Sequence, residues 1–279
     1  MDKRSSLTLW QKILINIREK NKMKAIKTSM SFLLAVMTIA SASACSVVKK
    51  ADEDSDSPAN DALYFSNQKV RESPAWVTDL EAAKDAEVNQ LIVVAGADKT
   101  TAYVTMHERS QDGTWHQIIA APGFIGRDGL ENANIHDAYT PVGTFTIDRA
   151  FGLADDPGCQ MEYIRVDENY YWSVDARPGM HFNELVDIKD VPGLDTENSE
   201  RISDYDYAYQ YVLNMGYNPE CEEEKGFAFF LHCLTPDGIY TGGCVGVPEE
   251  IMKFILRHIK PGCRITIDSL ENMKGDLDS

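Results

Sequence analysis

The stretch FAFFLHCLTPDGIYTGGCVGVPEE, Phe227 to Glu250, holds the most strand-like run of the chain and two chemically active side chains. Its first part, FAFFLHCL, is apolar on both faces, which predicts a buried central strand rather than a half-exposed one. His232 stands near the end of that strand. A Gly-rich turn then presents Cys244. Directly afterwards PEEIMKFILRHI predicts a helix. Pro248 suits its first turn, Glu249 and Glu250 complement the positive end, and Arg257 and His258 the negative end. Ile251, Phe254, Ile255 and Ile259 fall on one face of it.

Working outward, QLIVVAGADKTTAYVTMHERSQDGTWHQIIAAPG reads as a β-meander, with SQDGTW as a hairpin signal. GTFTID, YYWSVD and the closing CRITID are further short strands, whereas RISDYDYAYQYVLNMGYNPE is ambiguous between strand and helix. The expected fold is mainly β, a sandwich or meander over residues 89–268 with one or two packed helices. Residues 269–279 read as a polar tail.

The N-terminal part reads as targeting sequence. MKAIKTSMSFLLAVMTIASASAC starts at Met23 with Lys24 and Lys27, runs through an apolar stretch from Met30 to Ala40, and ends in small residues before Cys45. That layout predicts an export signal over residues 1–45, with translation starting at Met23. The apolar stretch is shorter than the roughly 20 residues of a spanning helix. ASA before Cys45 suits ordinary signal cleavage. ASAC suits a lipobox that would leave Cys45 lipidated at the mature N-terminus, and the polar sequence after it favours this second reading. Either way the expectation is an exported protein of the cell envelope, membrane-held only through a lipid on Cys45. Residues 46–88, which include the acidic, Ser-rich KKADEDSDSPAND from Lys49 to Asp61, read as a disordered tether.

The formal net charge is −17, and the basic signal segment masks a still more acidic remainder. Such a balance argues against nucleic acid as a partner, since phosphate binding needs a basic face. Of six cysteines, setting Cys45 aside leaves five. In an oxidising compartment an odd number leaves at least one thiol free. Cys159 and Cys221, both in polar turn sequence, form one candidate disulfide.

A thiol becomes a nucleophile when a neighbouring histidine or backbone donors favour its thiolate. His232 at a strand end and Cys244 beyond a loop that folds back fit that need. His232 is the candidate general base and acid, and Cys244 the nucleophile. The amide N–H groups of Gly243 and Cys244 are candidate oxyanion donors. Thr241 is a candidate for orienting the imidazole or contacting substrate. Taken singly, His232 is more simply a structural histidine, and Cys244 a buried thiol or half of a disulfide. A zinc site of His232, Cys233 and Cys244 is disfavoured because adjacent strand residues point to opposite faces, which leaves Cys233 a core thiol.

Taken together, FFLHC…YTGGCVGVP resembles the active-site signature of the L,D-transpeptidase catalytic domain (YkuD-like) family. PGFIGRDG…YTPVGTFTID and YYWSVDARPGMHFNELVD are similar to further segments of that family, in family order, from Gln90 to Asp268. The chain departs from many members at Gly242, where they carry His, and at Val245 and Gly246, where they carry Arg or Asn. The resemblance implies a peptidoglycan-modifying acyltransferase without a cofactor or metal. Cys244 would attack the carbonyl of the third residue of a stem peptide and release D-alanine, leaving a thioester for a stem amine to resolve as a cross-link. The same residues would serve an L,D-carboxypeptidase that uses water instead. An alternative of another class is a non-catalytic, wall-binding envelope lipoprotein. Arg127 and the Gly143 region would line the substrate cleft, Arg127 meeting a stem carboxylate. Tyr139, Thr140 and Pro141 would shape the fold.

Overall fold

The structure, a computed structural model, describes residues 70–133, 137–236 and 238–277. The predicted export signal, Cys45 and the tether as far as residue 69 lie outside these. The described chain is mainly β with few helices. It opens with a short strand β1 (Arg71–Glu72) and two single-turn helices, α1 (Ala75–Thr78) and α2 (Glu81–Lys84). The meander follows as β2 (Gln90–Gly96), β3 (Thr101–Arg109) and β4 (Trp115–Phe124), paired antiparallel in sequence. Next, β5 (Gly129–Glu131) and β6 (Tyr139–Pro141) form a small parallel ribbon.

The strands β7 (Gly143–Thr146), β8 (Arg149–Gly152) and β9 (Tyr163–Arg165) come next. A separate three-stranded sheet joins β10 (Tyr170–Trp172), β11 (Leu185–Asp187) and β12 (Glu200–Arg201). The Tyr-rich stretch that sequence left open resolves into two 3₁₀ turns and then β13 (Val212–Asn214). The last elements are β14 (Phe230–Cys233), β15 (Val245–Val247), helix α3 (Glu249–His258) and β16 (Arg264–Ser269). The main sheet runs β7-β16-β2-β3-β4-β15-β14-β13-β8-β9, with β1 joined to β4.

The strand β14 is buried at all its positions, as its two-faced apolar sequence requires. It lies between β13, antiparallel, and β15, parallel. A parallel neighbour needs a crossover, and the loop from Leu234 to Cys244 supplies it. Helix α3 then packs on the sheet through Ile251, Phe254, Ile255 and Ile259, the predicted face, all in the main core cluster. Pro248 caps it from just outside the first turn.

Two boundaries differ from those read in the sequence. Residues 71–88 are not disordered tether, and the polar tail is anchored to the domain, with Ser269 ending β16 and Met273 buried. The cause lies in β2, which is apolar on both faces. Ile92 and Val94 point into the main core. Leu91, Val93 and Ala95 point the other way and need a second cover. Trp76 and Val77 of α1, Ala82 and Ala83 of α2, Val88 and Met273 provide it.

The cysteines also correct an expectation. Cys159 and Cys221 are both free thiols. Cys159 packs half-buried against the main core just before β9, whereas Cys221 is exposed in the turn after Pro219.

Candidate active site

The side-chain alternation of β14 divides its chemistry between two faces. Leu231 and Cys233 enter the main core with Val245 and Val247. Phe230 enters a different cluster with Phe151, Trp172, Tyr209 and Cys244. His232 shares that second face and lines a cleft of about 400 Å³ together with Cys244. Cys233 faces away, as expected.

Register places the pair. Leu231 is paired with Val245, and His232 with Gly246. Cys244 therefore falls opposite Phe230, one diagonal step from His232 on the same face. Strand spacing and rise put such Cα atoms roughly 8 Å apart, within span of an imidazole and a thiol reaching toward each other. Gly246 carries no side chain that could stand between them.

The imidazole is oriented by its own strand. His232 Nδ1 lies 2.8 Å from the Cys233 carbonyl oxygen, which can only accept, so Nδ1 carries the proton. That leaves Nε2 as the basic nitrogen. The Tyr209 ring packs edge-on against it, with centroids 5.5 Å apart. Burial pushes the His232 pKa down to about 4, against the small upward effect of the Cys233 carbonyl.

The sulfur has its own partners. Cys244 Sγ donates to the Ala228 carbonyl at 3.3 Å and accepts from the Phe230 amide at 3.4 Å. Among the described residues it makes no hydrogen bond to His232. Burial, and after it the negative charge of Glu200, push the thiol up to about 12. The resting pair is thus a neutral thiol and a neutral imidazole sharing one cleft.

The turn before Cys244 is held by two hydroxyls. Thr241 Oγ1 donates to the Cys244 carbonyl at 2.5 Å and accepts the Gly243 amide at 3.1 Å. Thr140 Oγ1 donates to the same carbonyl at 3.3 Å and accepts the Gly126 amide at 2.8 Å. Gly243 has φ +134, and a Cβ there would stand 2.8 Å from the Phe229 ring and 3.0 Å from the Tyr139 carbonyl. Only glycine fits. Around Gly242, in contrast, nothing among the described residues lies within 4 Å of where a Cβ would stand.

Several predicted roles move. Gly243 spends its amide on Thr241 Oγ1, so of the two candidate oxyanion donors it is committed to the turn. Thr241 builds the turn and makes no contact with the imidazole among its hydrogen bonds. Arg127 is absent from the cleft. Its guanidinium is exposed and pairs with Asp128 at 3.2 Å, while its backbone amide donates to the Thr241 carbonyl at 3.0 Å. An Arg one step from a turn was drawn into a neighbouring carboxylate instead of the cleft. Gly143 opens β7 opposite Ile267, also away from the cleft. Thr140 shapes the fold as expected, its hydroxyl bound to the Cys244 carbonyl.

Three residues of the site went unassigned in the sequence. Asn183, at φ +60, accepts from Trp172 Nε1 at 2.9 Å and from the Ala228 amide at 3.2 Å. Its Nδ2 donates to the carbonyls of Tyr217 and Asn218, each at 3.1 Å. It thereby fixes Ala228, itself at φ +57, whose carbonyl takes the thiol proton. The others are Glu200 and Tyr209, which line the cleft beside Cys244. The run of tyrosines around Tyr209 was the only sequence signal for them.

No family model and no curated protein sequence matches this chain. Among the described residues no helix is long and apolar enough to cross a membrane.

Proposed function

We propose that this protein is a cysteine acyltransferase acting on peptidoglycan stem peptides, an L,D-transpeptidase in reaction type, exported and held at the cell envelope through Cys45. The observation that carries the reading is the shared face of His232 and Cys244, with Nε2 as the free basic nitrogen of a neutral imidazole.

A rotation about the Cys244 side chain exchanges the Ala228 carbonyl for His232 Nε2 as the thiol's acceptor. Because the thiol sits near 12 and the imidazole near 4, a free thiolate and imidazolium do not accumulate at rest. The proton passes to Nε2 as the sulfur attacks the carbonyl carbon of the third stem residue. The Cys244 amide meets the developing oxyanion. The C–N bond to D-alanine then breaks, and His232 returns the proton to the departing amine. A thioester remains on Cys244, to be resolved by an amine of a second stem or by water. These steps use a thiol, an imidazole and an amide, all supplied by this chain.

The rival reading, a wall-binding module, is favoured by one observation: the resting thiol donates to Ala228, not to the imidazole. The test is incubation of the protein and its Cys244→Ala form with a disaccharide-tetrapeptide, with products read by mass. Loss of D-alanine with a dimer product indicates cross-linking, and loss without dimer indicates trimming. Equal outcomes for both proteins would overturn the enzyme.

A further inference from the structure

Beside Cys244 the cleft presents a carboxylate that the acyl-transfer steps do not use. Glu200 is placed there by β12, where it pairs with Trp172 of β10. Tyr209 holds it, donating its hydroxyl to Glu200 Oε1 at 2.5 Å. Tyr205 packs on Tyr209 with ring centroids 4.8 Å apart and stands 44% exposed at the rim. The neighbouring Arg201 is turned elsewhere, toward the Glu168 carbonyl and Asp204.

The charges in the cleft are of one sign. Glu200 and Asp137 line it, and among its described lining residues there is no Lys or Arg. A carboxylate facing a half-enclosed site with one neutral donor is poorly compensated. An ammonium is the group that corrects this. It pairs with the carboxylate beside the Tyr205 ring, which stands exposed at the rim and offers an electron-rich surface that favours cations over neutral groups. A carboxylate-bearing ligand end meets only repulsion there.

We propose that Glu200, with Tyr209 and Tyr205, is a subsite for a ligand ammonium, and that filling it releases Cys244 for ionisation. The inference rests on the acyl-transfer reading for its role in the reaction, and places a free side-chain amine of the stem peptide at Glu200. With the subsite empty, burial raises the Glu200 pKa, eased by the Tyr209 hydroxyl, and the carboxylate charge opposes a second negative charge on Cys244, the direction in which the thiol is shifted. With an ammonium seated, the two charges cancel. The thiol proton then moves from Sγ to His232 Nε2, giving thiolate and imidazolium, while the ammonium keeps its own protons. The nucleophile is in this way armed by the ligand it is to attack. Free cleft thiol stays protected.

The experiment reads the thiol without any peptide. The full chain is alkylated with iodoacetamide at neutral pH, with n-butylammonium or with the same concentration of n-butanol, and modification is mapped by mass. Exposed Cys221 serves as the internal reference for reagent effects. The ammonium is expected to speed alkylation of Cys244 by on the order of tenfold, one unit of thiol pKa, with no change at Cys221. Butanol is expected to do nothing. Glu200→Gln is expected to alkylate faster at rest and to lose the response. Equal Cys244 rates with ammonium and butanol in the unaltered chain overturn the proposal, as does a full response retained in Glu200→Gln. The unaltered chain decides even where the variant does not fold. Failure here leaves the acyl-transfer reading standing, and inactivity on stem peptides leaves an ammonium response standing.

Discussion

Cys244 lies one residue before β15, a diagonal step from His232 on the parallel neighbour β14, and both line one cleft, yet the Cys244 thiol donates to the Ala228 carbonyl rather than to the imidazole. The relationship separates placement from activation. Strand register brings the two groups to one cleft, and in the proposed reaction a side-chain rotation precedes proton transfer. His232→Ala is accordingly expected to lower acyl transfer by about 10²–10⁴-fold, the ordinary range for a general base. D-alanine release measures it. A fall of less than about tenfold would remove His232 from the proton path.

The two glycines before Cys244 make opposite predictions. Gly243→Ala places a Cβ against the Phe229 ring and the Tyr139 carbonyl at φ +134, so the turn must move and Cys244 with it. Strain of this kind costs about 1–3 kcal/mol. Melting temperature and turnover should both fall. Gly242→Ala meets nothing within 4 Å among the described residues and should leave the melting temperature unchanged. Equal behaviour of the two variants would show that the turn geometry is not as described.

Stability should show a plateau in pH. His232 is held down at about 4 and His107 at about 3, both chiefly by burial. The unfolded chain therefore takes up these protons first, near the ordinary histidine value of 6.5. Their contribution is complete above about 6.5 and is lost as pH falls toward 4 and then 3. At the other end, burial pushes Cys233, Cys244 and Cys263 up to about 12 from 9.0. The unfolded thiols ionise first, so stability declines as pH climbs from about 9 toward 12. Urea midpoints measured across this range should be flat only between. A midpoint unchanged from pH 7 to 5 would contradict the burial of both imidazoles.

The cover on the outer face of β2 can be tested by Trp76→Ala. Trp76 is buried against Leu91, Val93 and Trp115 in one cluster. Removing an aromatic side chain of this kind costs about 3–5 kcal/mol. Chemical denaturation measures the loss. A loss below about 1 kcal/mol would return this segment to the status of a tether.

How much of this was legible in the sequence depended on how local each signal was. The β14 strand, the meander and α3 were readable because two-faced apolarity, alternation and helical periodicity are properties of short windows. The pairing of His232 with Cys244 followed from those elements and a short loop. The boundaries were not legible. Trp76, Val77 and Met273 stand in polar surroundings, and what recruits them is the far side of β2, a partner distant in sequence. Arg127 was misplaced for another reason, since its side chain pairs with adjacent Asp128 although its backbone joins the cleft residue Thr241. Glu200 and Asn183 reach the site only through β12 and through a left-handed backbone position, neither of which carries a pattern in the chain.

The central claim is that Cys244 becomes covalently acylated by a peptide whose leaving group is D-alanine. Intact-protein mass after rapid acid quench of the chain with a stem tetrapeptide tests this most directly. The account predicts a mass gain equal to the tetrapeptide less D-alanine, mapped to Cys244, reversed by hydroxylamine and absent in Cys244→Ala. An unmodified Cys244 while D-alanine is being released, or an adduct on any other residue, would contradict it.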